Sequence, residues 1–331
     1  MLGLSVPWRR VGVVSIAWLA LLGGEAIRAE QFAVKETPDG AVVTIDGKPF
    51  AEYRKESGHQ PIVWPIYDAH GRAMTRSYPQ GPQLPHEQVD HPHHRSLWFA
   101  HGDVNGRDFW LEPDKQHRGQ DDDANRIVHR EYVRLAATPP GAIIATRNDW
   151  LAGERRVLSD VRTMRFGVRD ELRWIDLEYK LQASDGQVVF GDTKEGCFSL
   201  RVPGSMDVTA KLGGRLENDR GQVDDDAWGR CAAWVNYAGP VEGKPAGIAV
   251  FIHPRCTRSP HRWHVRTYGL FAANPFARRE FPQDDQEPQG GPLTIAPGES
   301  ATFRYLVLLH DGDLTPDQLA DWQQRYAADR L

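Results

Sequence analysis

The chain has 331 residues, 40 Lys and Arg against 45 Asp and Glu, and a formal charge of −5 at neutral pH. An acidic chain without a basic stripe offers no footing to nucleic acid or an anionic surface as partner. Three cysteines, Cys197, Cys231 and Cys256, allow one disulfide at most, and their spacing matches neither a zinc knuckle nor a redox pair. A hydrophobic core must therefore carry the fold.

The N-terminus has the parts of a secretory signal. Arg9 and Arg10 supply the positive region, and Val11 to Leu22 is apolar apart from Ser15, too short to span a bilayer. Cleavage after Ala26 or Ala29 is expected, which makes residues 1–29 a signal and 30–331 one β domain, exported to the periplasm or beyond. An uncleaved N-terminal anchor is the alternative. Removing 1–29 takes away three arginines and one glutamate, a net +2, and moves the formal charge to −7. No later segment is apolar enough to cross a membrane.

Turn-bounded β runs then follow one another. Phe32–Glu36 and Ala41–Ile45 precede the hairpin signal Asp46-Gly47. Further strands are expected at Ile62–Tyr67, Ser96–His101, Ile127–Leu135, Ala142–Trp150, Glu154–Met164, Leu172–Gln182, Val189–Leu200, Ala232–Tyr237, Ile248–His253, His264–Phe271, Leu293–Ile295 and Ala301–Leu309. Asp185-Gly186 and Pro297-Gly298 read as turns. Thr315 as N-cap, Pro316 at N1 and the spacing of Leu319, Trp322, Gln323 and Tyr326 predict one terminal helix. The fold class is mostly β: a large antiparallel sandwich or barrel with a short C-terminal helix.

The densest polar stretch runs from His86 to Trp110 and holds five of the thirteen histidines, at 86, 91, 93, 94 and 101. Asp90, Arg95, Asp103, Asn105 and Asp108 are interleaved. A fold gains little from such density, because each buried imidazole needs partners for both ring nitrogens. His94 or His101 is the expected proton-transfer group. His91 and His93, two apart, would share a strand face as metal ligands, with a distant third such as His264, although Pro92 disfavours an interior strand. That alternative needs a divalent transition metal; the first needs no cofactor.

Two more constellations stand out. In Gly191-Asp-Thr-Lys-Glu-Gly-Cys-Phe-Ser-Leu-Arg201, read as a continuous strand, Thr193, Glu195, Cys197, Ser199 and Arg201 share a face, and Glu195 is the candidate carboxylate. In His261–Phe276, His264, Arg266 and Tyr268 share a face that is costly to bury and suits a wet cleft. The acidic triplets Asp121–Asp123 and Asp224–Asp226 lack the ligand alternation of a calcium loop and read as solvated loops. No P-loop, dinucleotide fingerprint or nucleophile elbow occurs.

Trp64-Pro-Ile-Tyr-Asp, Met74-Thr-Arg-Ser-Tyr-Pro, Asp90-His-Pro-His-His-Arg-Ser-Leu-Trp-Phe-Ala-His-Gly-Asp-Val-Asn-Gly, Gly191-Asp-Thr-Lys-Glu-Gly and Trp263-His-Val-Arg-Thr-Tyr-Gly-Leu-Phe-Ala-Ala-Asn-Pro-Phe together resemble the bacterial family labelled "methane oxygenase PmoA-like", in essence a domain of unknown function. The likeness spans about Gln31 to His310. The label does not carry its activity, since the true methane monooxygenase subunit of that name is an integral membrane protein. The resemblance implies a β-supersandwich similar to galactose mutarotase, a fold whose relatives include sugar epimerases, polysaccharide lyases and glycoside-processing enzymes. It implies a His and a carboxylate working across a sheet face, with Arg and aromatics holding the sugar.

The leading expectation is therefore an exported carbohydrate-active enzyme using general acid–base catalysis for epimerisation, elimination or glycosidic cleavage. His94 or His101 would work against Glu195 or His264. Arg76, Arg95 and Arg266 would bind substrate oxygens; Tyr67, Tyr78 and Trp98 would contact the ring; Asp103, Asn105 and Asn274 complete the binding set. The partner is a small-molecule or oligosaccharide substrate. A His-ligated metalloenzyme and a non-catalytic glycan-binding module are the rivals.

Overall fold

Period-two alternation dominates the chain, and it builds two large antiparallel sheets. The computed structural model describes residues 31–115, 124–282, 290–312 and 314–331. The expected signal and the Asp121–Asp123 triplet lie outside the described residues. One sheet has nine strands in the order Phe32–Glu36, Gly40–Ile45, Lys48–Ser57, Gln60–Ile66, Leu97–His101, Gly196–Arg201, Leu270–Asn274, His261–Val265 and Cys231–Ala232. The other has eight, ordered Arg215–Asn218, Trp234–Val241, Lys244–Ile252, Ser300–His310, Leu172–Gln182, Arg155–Arg169, Gly141–Ala152 and Asn125–Thr138. Val188–Phe190 and Leu293–Ile295 pair separately.

The Asp46-Gly47 hairpin forms as expected, with both residues at positive φ (49° and 75°), the backbone that a two-residue primed turn demands. The terminal helix is Pro316–Ala327. Thr315 Oγ1 accepts from the Gln318 N–H while the Gln318 side chain accepts from the Thr315 N–H, a capping box. Leu319, Trp322 and Tyr326 pack onto Trp234, Phe251, Leu306 and Leu308 of the eight-stranded sheet.

Three expected strands are broken. Ala232–Tyr237 divides at Ala233 into Cys231–Ala232 and Trp234–Val241, which lie in different sheets. Val189–Leu200 becomes Val188–Phe190 and Gly196–Arg201, separated by a loop at 191–195 that is packed too closely for a side chain at Gly191 or at Gly196 just beyond it. A Cβ on Gly191 would meet Asp103 at 1.9 Å, and one on Gly196 would meet the His101 ring at 2.3 Å. His264–Phe271 becomes His261–Val265 and Leu270–Asn274, joined by a turn in which Gly269 takes φ +98°. His264, Arg266 and Tyr268 therefore do not share a strand face. Nor do His91 and His93 lie on a strand; they sit in a tight turn closed by the His94 N–H donating to His91 O at 2.9 Å. All three cysteines are buried and reduced.

The sheets meet through aromatics. Phe99 stacks on Tyr179 at 4.2 Å and Phe198 on Tyr305 at 4.3 Å, each pair bridging the two sheets. Since Phe99 and Phe198 point inward, their neighbours Trp98 and Ser199 point to the opposite face of the nine-stranded sheet. Among the described residues no helix is long and apolar enough to cross a membrane. Replacing Phe99 with Ala is expected to lower unfolding free energy by about 3–5 kcal/mol in urea titrations, through lost burial and a residual cavity. A loss under about 1 kcal/mol would contradict this placement.

Candidate active site

The outward face of the nine-stranded sheet carries a row of four residues in register: Trp98, Ser199, Ala272 and His264, on adjacent strands. The two small residues between the two large ones leave a low floor, about 14 Å across at the spacing of antiparallel strands. The polar segments 86–95, 191–195 and 224–228 and the 266–269 turn assemble over this floor.

Asp90 organises one side. Its Oδ1 accepts from Arg76 Nη1 at 2.7 Å and from Arg201 Nη2 at 3.1 Å, and its Oδ2 accepts from His91 Nδ1 at 2.8 Å. Burial alone would raise the Asp90 pKa. The His91 hydrogen bond and the Arg201 and Arg76 charges outweigh it and hold the carboxyl well below the usual range. Arg76, fully buried, also donates to the carbonyls of Gln88, Asp90, His91 and His94, so one guanidinium ties the whole turn together. Burial, then the neighbouring Arg201, pushes its pKa down to about 10.

This arrangement sorts the histidines. His94 is 1% exposed. Arg201 Nη1 lies 3.0 Å from its Nδ1, and a guanidinium only donates, so Nδ1 accepts and the proton sits on Nε2. Burial, then the cations and imidazoles around it, keeps His94 neutral. His93 is likewise buried and pushed down to about 3, first by desolvation and then by His91. His86, at the start of the segment, is exposed. Of the three histidines in the turn, it is His91 that reaches solvent, its side chain 41% exposed. With Nδ1–H committed to Asp90, its Nε2 faces outward as an oriented imidazole in an Asp–His dyad.

Parallel rings continue from there. His91 stacks on His94 at 4.7 Å and on Tyr268 at 5.3 Å, and His94 stacks on Trp98 at 5.4 Å. Arg266 lies over Tyr268 at 5.5 Å and over Trp228 at 5.8 Å. Trp228 meets His264 edge-on at 6.5 Å. His264 Nδ1–H donates to Lys194 O at 3.0 Å, leaving the Nε2 lone pair unused. Burial pulls His264 down to about 4, so it is a neutral acceptor at pH 7. Lys194 leads directly to Glu195, and the rim around the floor is complete.

Glu195 differs from Asp90 in every respect that matters. Its side chain is 31% exposed, and its nearest cation is Lys194 Nζ at 3.7 Å, a lysine already bound to Glu280 at 2.5 Å. Burial raises its pKa; Glu280 and Asp108 add to the rise, while Lys194 and His91 oppose it.

Several expected site residues serve the fold instead. His101 is fully buried, with Nε2 2.9 Å from Gly191 O and its ring against Phe276 and Phe190; burial pushes it down to about 4. It cannot reach a substrate. Arg95 is spent on Glu112 and Ser57, and Trp98 is covered by His94. Tyr67 lies elsewhere, its carbonyl accepting from Arg173. Asp103 Oδ1 caps the Gly106 N–H, Asn105 clamps Gln187 and Val189, and Asn274, fully buried, braces Thr193, Phe276 and Ala277. Tyr78 packs against Arg76 at 5.4 Å, behind the dyad. Of the expected set, Glu195, His264 and Arg266 stand on the rim, with Arg76 and His94 supporting it.

The metal alternative finds no ligand set. Among the described residues no group of three His, Cys, Asp or Glu converges as metal donors. His91 and His93 meet as rings edge-on at 5.6 Å, and His264 lies across the floor. Asp224–Asp226 form a 3-10 turn in which Asp224 accepts from the Leu216 N–H. Asp90, Arg201, Tyr268, Trp228 and Glu280 were missing from the expected set. Asp90 and Arg201 stood inside the quoted motifs, but pairing residues 111 apart needs the fold. A cavity of about 420 Å³, lined by Leu84, His86, Glu87, Pro203, Leu212 and Val241 among others, opens beside the start of the 86–95 segment.

Comparison with known proteins adds a family. A model described as a family of unknown function, DUF6807, matches residues 40–323. Nothing in the comparisons carries the PmoA-like label, although the expectation of a domain of unknown function agrees with that description. No curated protein matches the chain. Among solved structures, a polysaccharide lyase shares 12% identity over 86% of this chain at a TM-score of 0.32, and the chain spans only 33% of that lyase. A candidate aldose 1-epimerase from Escherichia coli K12 shares 12% identity over 85% of this chain and 99% of its own, at a TM-score of 0.33. Overlaps this loose transfer no activity.

Replacing Asp90 with Asn should destabilise the protein by about 2–3 kcal/mol, at or below the low end for breaking a buried ion pair because the carboxylate is partly exposed. The sign with pH follows from its depressed pKa: the contribution is present above the unfolded value and is lost as pH falls through the folded one. The gap between wild type and D90N in thermal unfolding should therefore narrow from pH 7 to pH 2. A constant gap would refute the linkage.

Proposed function

The chain belongs to DUF6807, a family of unknown function, and we propose from its own side chains that it is an exported enzyme moving protons on a carbohydrate by general acid–base catalysis. The observation that carries this reading is a pair of carboxylates driven in opposite directions on one rim. Asp90 is held ionised and orients His91, whereas Glu195 is held toward its neutral form. Such divergence is how a site keeps one group as base and another as acid at the same pH.

In this mechanism His91 Nε2 removes a proton from the substrate, and the Asp90 carboxylate stabilises the imidazolium that forms. Glu195, whose burial favours its neutral form, is the acid that delivers a proton to the departing or rearranging oxygen on the other side. His264 Nε2 accepts a hydrogen bond from a substrate hydroxyl. Trp228, half-buried on the rim, contacts the sugar ring, and Arg266, which lies over both Trp228 and Tyr268, addresses its oxygens. Epimerisation, elimination and glycosidic cleavage all use this two-sided proton traffic. Export rests on the Arg9-Arg10 and Val11–Leu22 pattern.

The test is turnover on a panel of aldoses, keto-sugars and glycosides. Folded H91A and E195Q variants should lose about 10²–10⁴-fold in kcat/KM, the usual worth of a positioned acid or base. Wild-type rate should fall as pH rises through the elevated Glu195 pKa, and E195Q should lack that limb. Wild-type rates in both variants would remove the assignment. Sugar binding without turnover on every substrate would mark a glycan-binding module instead.

A further inference from the structure

We propose that the sugar this site selects is anionic, with its carboxylate held by Arg266; this rests on the carbohydrate reading above and names the substrate class within it. The first ground is partnership. Arg76 and Arg201 share Asp90, Lys194 holds Glu280 and Arg95 holds Glu112. The Arg266 guanidinium, on the same rim, has ring contacts but no ion pair or hydrogen bond among the described residues.

The second ground is local charge. Arg201 and Arg266 both lie over Tyr268, and Arg201 already shares the Asp90 carboxylate with Arg76. The nearest ion-paired carboxylate therefore already serves two cations other than Arg266.

The geometry of Arg266 favours a carboxylate over a phosphate. Its guanidinium lies over two aromatic rings, and with no internal anion its N–H groups are a two-pronged donor matched to one planar carboxylate. A phosphate dianion would need further free cations, and the neighbouring ones are paired. A carboxylate beside the reacting carbon also makes chemical sense: neutralising it acidifies the adjacent C–H that His91 would attack.

Calorimetric titration with galacturonate and glucuronate, against galactose, glucose and glucose 6-phosphate, tests the proposal on the full chain. The uronates should bind at least about tenfold more tightly than their neutral counterparts, in keeping with a charge-assisted hydrogen-bond pair. R266M, which keeps the packing on Trp228 and Tyr268, should abolish that preference, and R266K should retain part of it. Equal affinities for charged and neutral sugars, tighter binding of the phosphate, failure of both uronates to bind, or an undiminished preference in folded R266M would each overturn it. The outcome is separable from the catalytic reading: uronate selectivity lost in R266M but with no turnover in wild type would defeat catalysis and leave the ligand class standing, whereas turnover of neutral sugars alone would do the reverse.

Discussion

The ion-paired knot at Asp90 is the constraint on which the candidate site depends. A turn rich in histidine has no intrinsic reason to lie flat on a sheet, since its backbone polar groups would be left unpaired. Arg76 removes that penalty by donating to four carbonyls of the turn while binding the Asp90 carboxylate. Arg201, rooted in the sheet itself, grips the same carboxylate and the His94 ring. The turn is thereby fixed to the sheet, His94 is locked as a neutral spacer and His91 is left projecting with a defined tautomer. Burying two cations against one carboxylate is expensive, and the gain is orientation more than stability.

The sheet contributes a complementary device. Ser199 and Ala272 keep the centre of the outward face low, while Trp98 and His264 stand at its sides. The inward face of the same strands does the opposite, with Phe99 and Phe198 filling the space between sheets. One strand residue thus serves the core and its neighbour serves the site, so the rigidity of the aromatic core is transmitted to the floor without an intermediary. The loops that complete the rim are held by close glycine contacts at Gly191 and Gly196.

Much of this was legible along the chain. Alternation found most strands, Asp46-Gly47 announced its hairpin, and Thr315-Pro316 announced the helix, because each depends on neighbours a few residues apart. The density of polar residues between His86 and Trp110 marked the segment from which the candidate site is built. Within it, however, spacing did not show that His94 and His101 are buried while His91 is exposed. Linear spacing cannot tell an imidazole that faces solvent from one stacked under it, and His101 alternates inward because Phe99 does. The Val189–Leu200 and His264–Phe271 runs misled for a related reason: their residues have strand propensity throughout, and only close packing at Gly191 and Gly196 and the turn at Gly269 break them.

By itself, then, the sequence determined that the chain is mostly β with a terminal helix, that it is acidic overall and that a polar, imidazole-rich segment is present. Those properties follow from composition and from short-range periodicity, which act before any tertiary contact forms. The tertiary structure alone decided which histidine is reachable, which carboxylate is ionised and which arginine is left without an internal anion. These depend on long-range pairings, Asp90 with Arg201 and His264 with Lys194 above all. A side chain's charge state is set by what the fold brings against it, and the order of residues along the chain does not contain that distance.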